Sequence, residues 1–209
     1  VNTKFLKRFK SLIVRLTRRG YCFIIVAGGG DTARTYQQAA QNVTPRLSAT
    51  DLDWIGIAAT KLNAELVRAI FGRMAYASVL YDPTKKIRTA KKVLIGSGWK
   101  PGCSSDKDAV LLAKTFSAKR LINMSNIEYV YTADPNQDKN ATPIKQMSWH
   151  ELLQLTGTTW RPGAHVPFDP EASKVAKTMG LETVICRGTD LKNLENIIAN
   201  KKFIGTRIT

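Results

Sequence analysis

Imidazole and thiol groups are scarce in this chain. Its 209 residues hold two histidines, His150 and His165, and three cysteines, Cys22, Cys103 and Cys186. The cysteines are odd in number, far apart and never in Cys-x-x-Cys spacing. This argues against a zinc site and points to a reduced, cytosolic compartment. Cys22 and Cys186 sit in apolar, strand-like runs and are expected to be small core residues. No apolar run reaches the ~18 residues that a membrane helix needs. The opening Val1-Asn2-Thr3-Lys4 lacks a signal-peptide pattern, and basic residues punctuate the helix that follows. Internal repeats and low-complexity segments are absent too.

Acids are the other scarcity. Sixteen Asp and Glu face 32 Lys and Arg, for a net charge of +16. Such a field attracts nucleotides, nucleic acid or acidic membranes, and it equally describes a basic solvated surface. The basic clusters are only pairs (Lys7-Arg8, Arg18-Arg19, Lys85-Lys86, Lys91-Lys92, Lys201-Lys202). They are too short for a nucleic-acid tail, so nucleic acid is not an expected partner, though the +16 charge does not exclude it. The chain is 44% hydrophobic, enough for one large domain or two small ones.

Periodicity places the elements. Phe5, Leu6, Phe9, Leu12, Ile13 and Leu16 recur at helical spacing, so 3–19 reads as an amphipathic helix. Residues 21–27 read as a strand buried on both faces. Helices are expected over 31–41 and 51–71, the second capped by Thr50 or Asp51. Residues 75–81 are a strand candidate, Val93-Leu94-Ile95 a second buried strand, 105–116 a helix and 120–124 a strand. The segment 125–147 is loop-rich. Ser148 caps a helix over 149–156, a Gly/Pro-rich loop covers 157–168, and Asp169-Pro170 starts another helix. A strand over 182–186, a helix over 190–199 and a strand over 203–208 complete the chain. Buried strands alternating with helices predict an α/β domain with a mostly parallel sheet covered on both faces. Ligands of such sheets sit at the carboxyl ends of the strands.

Two glycine loops fall on that edge. Gly28-Gly29-Gly30 follows the first strand, with Asp31-Thr32-Ala33-Arg34 opening a helix. Bare backbone lets N–H groups approach an oxyanion, the first turn of a helix offers unpaired donors, and Arg34 adds a charged fork. The second loop is Gly96-Ser97-Gly98-Trp99-Lys100-Pro101-Gly102-Cys103-Ser104-Ser105-Asp106. It fits neither the dinucleotide Gly-x-G-x-x-Gly spacing nor the phosphate loop Gly-x-x-x-x-Gly-Lys-Ser/Thr. It also lacks the Gly-x-Ser-x-Gly elbow of hydrolases. Ser104 or Ser105 caps the next helix, a role compatible with binding a ligand. Asp169 and Pro170 are a standard helix start, with Lys174 about one turn in. The stretch Ser125 to Pro135 sets aromatic and polar side chains after a strand.

In this order the segments resemble the amino-acid-kinase superfamily, and within it the archaeal-type uridylate (UMP) kinases. Gly28 to Arg34 is similar to that family's Gly-Gly-Gly-x-x-Ala-Arg. Asp53-Trp54-Ile55-Gly56-Ile57 with Thr60-Lys61-Leu62-Asn63-Ala64 resembles its Asp-x-x-Gly-Ile and Thr-Arg-Leu-Asn-Ala helix. Pro101 to Asp106 resembles Pro-Gly-x-Thr-Thr-Asp, and Asn126 to Pro135 resembles Asn-Val-Asp-Gly-Val-Tyr-x-x-Asp-Pro. Phe168 to Lys174 and Gly205-Thr206 match the remaining motifs. Ser104-Ser105 replaces Thr-Thr, and Glu128-Tyr129 replaces Asp-Gly. The chain opens at the helix that follows the family's first strand, whose Gly-Gly-Ser grips ATP phosphates. A sheet without that strand is expected to be split, with backbone groups left unpaired.

The resemblance implies a three-layer αβα sandwich. It implies one domain over 1–209, with an acceptor part over about 1–115 and an ATP part over about 116–209. The implied reaction is transfer of the ATP γ-phosphoryl group to UMP with Mg²⁺, in pyrimidine nucleotide biosynthesis. The implied partners are UMP, ATP and copies of the same chain, as a hexamer in the cytoplasm. By resemblance Gly29, Asp53, Trp99, Lys100, Pro101, Gly102, Cys103, Ser104 and Ser105 hold UMP, Asp53 accepting from ribose hydroxyls. Gly30, Arg34, Ser125, Asn126, Tyr131 and Asp134 serve ATP. Arg34, Asp169 and Lys174 act on the transferred group, and no residue is assigned as a metal ligand. Two alternatives stand beside this. One is a superfamily kinase for a carboxylate, carbamate or isopentenyl phosphate. The other is a catalytically incomplete nucleotide- or RNA-binding protein.

Overall fold

The computed structural model describes residues 1–159 and 166–209. His165 and the middle of the expected 157–168 loop lie outside them. The chain forms two compact units, one of Ile13–Ser117 and one joining Val1–Leu12 to Ala118–Thr209. Helix α1 (Thr3–Arg18) belongs to both by sequence. Its apolar spacing becomes a buried stripe of Phe9, Leu12, Ile13 and Leu16.

In the Ile13–Ser117 unit, β1 (Phe23–Val26) pairs in parallel with β2 (Val93–Gly96), from Phe23 opposite Val93 to Val26 opposite Gly96. Helices α2 (Gly30–Val43), α3 (Ala49–Phe71) and α4 (Ser105–Phe116) belong to the same unit. Buried Leu80, Leu94 and Leu112 form its core, with Ile24, Val26 and Phe116 packed against them. Burying a side chain such as Leu112 contributes about 1.5–3 kcal/mol. Strand β2 is buried throughout, as expected, but β1 is only half-buried. Among the described strands β1 pairs with β2 alone, so it lacks a neighbour on its other side. Cys22 precedes β1 and is exposed, contrary to the core role expected of it.

Three further expectations need correction here. Residues 75–81 form no strand. Ala75 and Leu80 each make one bridge, to Val93 and Gly96. Five steps of chain span three steps of partner, and the surplus is taken up by a bend at Ala77-Ser78. The cap of α3 is Ser48, not Thr50 or Asp51; its hydroxyl accepts from the Asp51 N–H at 3.1 Å. Helix α2 starts one residue early, at Gly30, with Gly29 as its N-cap.

The other unit holds β3 (Arg120–Ser125), the hairpin of β4 (Val130–Tyr131) and β5 (Pro143–Ile144), and β6 (Gln146–Met147). It continues with α5 (Trp149–Thr156), α6 (Pro170–Met179), β7 (Glu182–Arg187), α7 (Leu191–Ile198) and β8 (Thr206–Ile208). The sheet order is β3-β7-β8-β6, with β3–β7 and β6–β8 parallel and β7–β8 antiparallel. Three of the five described pairings in the chain are parallel, as expected of this α/β fold. Val184, Cys186 and Ile197 form this unit's core. Burial pushes the Cys186 thiol up to about 11, so it stays protonated and inert. Ser148 closes a capping box with Glu151, as its sequence position suggests. Strands β4 to β6 lie inside a segment read as loop, because two-residue strands leave no periodic pattern. The last strand begins at Thr206 rather than 203, since Ile204 is bonded to Asn193 instead of to a strand.

Candidate active site

Because β1 and β2 are parallel, the glycine loops that follow them leave the same edge of the sheet. Helix α3 holds both. The Asn63 amide donates to the carbonyls of Gly28 at 2.8 Å and Gly29 at 3.1 Å. The Gly98 N–H donates to Thr60 Oγ1 at 2.8 Å, and the Gly102 N–H to Asp53 Oδ2 at 2.8 Å. Asp53, Thr60 and Asn63 are spaced seven and three residues apart, which puts them along one helix face. Two glycines here are steric requirements. A Cβ on Gly98 would lie 2.7 Å from Thr60 Oγ1, and one on Gly29 only 2.5 Å from the Ala33 Cβ.

The second loop ends at α4. Ser104, not Ser105, is its N-cap, accepting from the Lys107 N–H at 3.1 Å. Ser105 Oγ stands 3.7 Å from where a Gly28 Cβ would sit, so the bare Gly28 backbone and a hydroxyl adjoin. Lys100 Nζ lies 4.0 Å from the centre of the Trp99 ring, a cation–π contact. Gly102, Pro101 and Cys103 form the turn between, closed by the Cys103 N–H on the Lys100 carbonyl at 3.1 Å. Gly29, Asp53 and residues 99–105 thus converge in one unit. Arg34, in the first turns of α2, is exposed and pairs with Asp31.

Below this loop lies a buried carboxylate. Asp108 is fully buried on α4. Its Oδ2 accepts from the Trp99 N–H at 3.3 Å, and Oδ1 has no hydrogen-bond partner among the described residues. Desolvation pushes its titration up to about 7, against the pull of the Trp99 N–H and the Lys107 charge.

The remaining candidates belong to the other unit. Ser125 ends β3; its hydroxyl donates to Asn126 Oδ1 at 3.2 Å and its carbonyl accepts from the Gly188 N–H at 2.7 Å. Tyr131 lies in β4, edge-on to Tyr129, with ring centres 6.4 Å apart. Asp134 Oδ1 accepts from the Asn136 backbone and side-chain N–H groups at 2.9 and 3.0 Å, an Asx-type turn. Asp169 is buried and caps α6 through the Glu171 N–H at 2.6 Å. Lys174 is exposed, one turn on, and pairs with Glu171 at 2.7 Å.

Sequence reasoning quoted Thr60 and Asn63 within a motif but gave them no role of their own, and it passed over Asp108. Thr60 and Asn63 carried a signal: two polar residues one turn apart, in register with Asp53 on one face of α3. Asp108 carried none, because a second acid in the first turns of α4 looks like an ordinary dipole partner.

Comparisons with known proteins bear on the family and the fold. Residues 2–187 match the model of the amino acid kinase family. The uridylate kinase of Pyrococcus abyssi is 34% identical over 85% of this chain and 79% of its own length. That of Methanococcoides burtonii is 28% identical over 100% of this chain and 89% of its own. The crystal structure of the uridylate kinase from Archaeoglobus fulgidus superposes with a TM-score of 0.86 at 28% identity, covering 100% of this chain and 94% of that one. On sequence and fold alike, this chain belongs to the amino acid kinase family, among its uridylate kinases.

Proposed function

We propose that this chain transfers the γ-phosphoryl group of ATP to UMP, giving UDP for pyrimidine nucleotide synthesis. The observation that carries the reading is the grip of α3 on both glycine loops. Asp53, Thr60 and Asn63 fix the two bare backbones at one strand edge, where an anion needs preset donors. In this reading the Ile13–Ser117 unit receives UMP, and Ser125, Asn126, Tyr131 and Asp134 in the other unit receive ATP. Asp53 has one oxygen on the Gly102 N–H and offers its carboxylate to ribose hydroxyls.

Phosphoryl transfer asks for positioning and charge neutralisation, with no covalent intermediate on the protein. A UMP phosphate oxygen bonds to the γ-phosphorus as the bond to the β,γ-bridging oxygen breaks. Arg34 and Lys174 are the cations assigned to the equatorial oxygens. Each now sits in an exposed i,i+3 pair, with Asp31 and Glu171, and such pairs are worth little and exchange readily. Asp169 organises the start of α6 and so the placement of Lys174. Magnesium fits as an ion carried on ATP. Phosphate oxygens and water would supply its ligands. Its chemistry would be to neutralise the β and γ phosphates.

We place the enzyme in the cytoplasm as a homo-oligomer, a hexamer in the family's manner. No helix among the described residues is long and apolar enough to cross a membrane. The test is UDP formation from UMP and Mg-ATP, followed by chromatography, on protein shown to be folded by circular dichroism. UDP release supports the assignment. Folded protein that binds UMP without turnover favours the binding-protein alternative.

A further inference from the structure

A cavity of roughly 740 Å³ opens on the second unit; none of the candidate site residues named above lines it, although its Tyr129 packs edge-on against Tyr131. Five cations line it: Lys145, Lys192, Lys201, Lys202 and Arg207. They come from four separate places, the approach to β6, the first turn of α7, the loop after α7, and β8. A single acid, Asp190, opposes them, and it is turned to the N-terminus of α7, where it accepts from the Asn193 N–H at 2.9 Å. Among the described residues Lys145, Lys201 and Lys202 make no ion pair. Lys192 is 3.9 Å from Glu195 and 79% exposed, and Arg207 is 3.5 Å from Glu182.

The walls are preset. The buried Asn193 side chain bonds both backbone groups of Ile204, at 2.6 and 2.8 Å, fixing the loop against α7. Arg120 holds Asn200 at 2.7 Å. Two aromatic rings, Tyr129 and Phe203, line the same cavity, and the Arg207 guanidinium stacks 5.3 Å from the centre of the Phe203 ring.

We propose that this groove binds a short single-stranded RNA segment. Cations spread over four segments suit a run of phosphates better than one phosphate, which wants its donors converged. Rings among cations give sequence-tolerant stacking platforms. The field of a chain with net charge +16 steers a polyanion toward the groove. The groove shares no residue with the proposed kinase site, so the two roles separate by mutation.

The test is fluorescence anisotropy with a labelled single-stranded RNA of about 8 nucleotides across a salt series. Each neutralised phosphate contributes about −0.7 to the slope of log K against log salt on a single strand. The triple variant K145Q/K201Q/K202Q removes three contacts, so its slope should be shallower by about 2 and its affinity weaker at low salt. Circular dichroism and UDP formation should match the wild type, since these side chains are exposed and outside the kinase site. Inorganic triphosphate at equal phosphate concentration should compete poorly. Absence of RNA binding, an unchanged slope in the variant, or displacement of RNA by triphosphate at equal phosphate would each overturn the proposal, the last in favour of a small polyphosphate ligand.

Discussion

Replacing Asp108 by Asn should stabilise this protein at alkaline pH and leave its acid stability nearly unchanged. The carboxyl is fully buried, with one oxygen on the Trp99 N–H and the other without a partner among the described residues. Burial moves its titration from the ordinary aspartate value of 3.8 up to about 7. The folded state therefore holds this proton after the unfolded state has lost it. Such a group contributes stability that is full below the unfolded value and is lost as pH rises through about 7. The whole shift corresponds to something on the order of 4 kcal/mol. Between about pH 5 and pH 8, where the unfolded carboxyl is already ionised, linkage gives a loss of roughly 2.5 kcal/mol. An amide has the same shape, keeps an oxygen for Trp99 and does not titrate. Urea unfolding at both pH values measures the difference: the wild type should lose that amount relative to D108N. Parallel changes in the two proteins would show that Asp108 is ionised throughout or solvated, and would refute the reasoning.

Three other substitutions probe the site. Gly98→Ala drives a Cβ to within 2.7 Å of Thr60 Oγ1 and displaces the hydrogen bond there; a loss of about 1–3 kcal/mol in urea unfolding and weaker UMP binding are expected. Asp53→Asn keeps an acceptor for the Gly102 N–H but drops the charge offered to ribose hydroxyls. Steady-state kinetics should show a Michaelis constant for UMP raised about tenfold, worth roughly 1.4 kcal/mol, with stability unchanged. Lys174→Met removes an exposed cation, so folding should be unaffected while kcat falls by about 10²–10³; an unchanged kcat would remove Lys174 from the mechanism.

The helices and the long strands were legible because their physics is local. The α1 stripe, the Ser148 capping box and the Asp169-Pro170 start each rest on a few neighbouring residues, and each is found where the spacing puts it. The α3 cap was misplaced locally, since Ser48, Thr50 and Asp51 are all good caps, but the errors in the strands lie where non-local pairing decides. Residues 75–81 have strand-like side chains, yet the partner β2 is too short for them and a bend results. Cys22 sits in an apolar run but one residue before the pairing starts, and so is exposed. At the site, the glycines and Asp53 were readable as motifs. The ties that hold them, Thr60 to Gly98 and Asn63 to Gly28, join residues far apart in sequence and emerge only from packing. The basic groove was hidden for the same reason: its cations are scattered from 145 to 207, and only Lys201-Lys202 are adjacent.

The central claim is that UMP is the phosphoryl acceptor, and competition between acceptors tests it most directly. UMP, a carboxylate, a carbamate and isopentenyl phosphate would be offered together with Mg-ATP, and the phosphorylated products separated and counted. The account predicts UDP as the dominant product, with its yield cut by Asp53→Asn and the others unaffected. A dominant acyl phosphate, carbamoyl phosphate or isopentenyl diphosphate would contradict it and move the chain to another branch of its family.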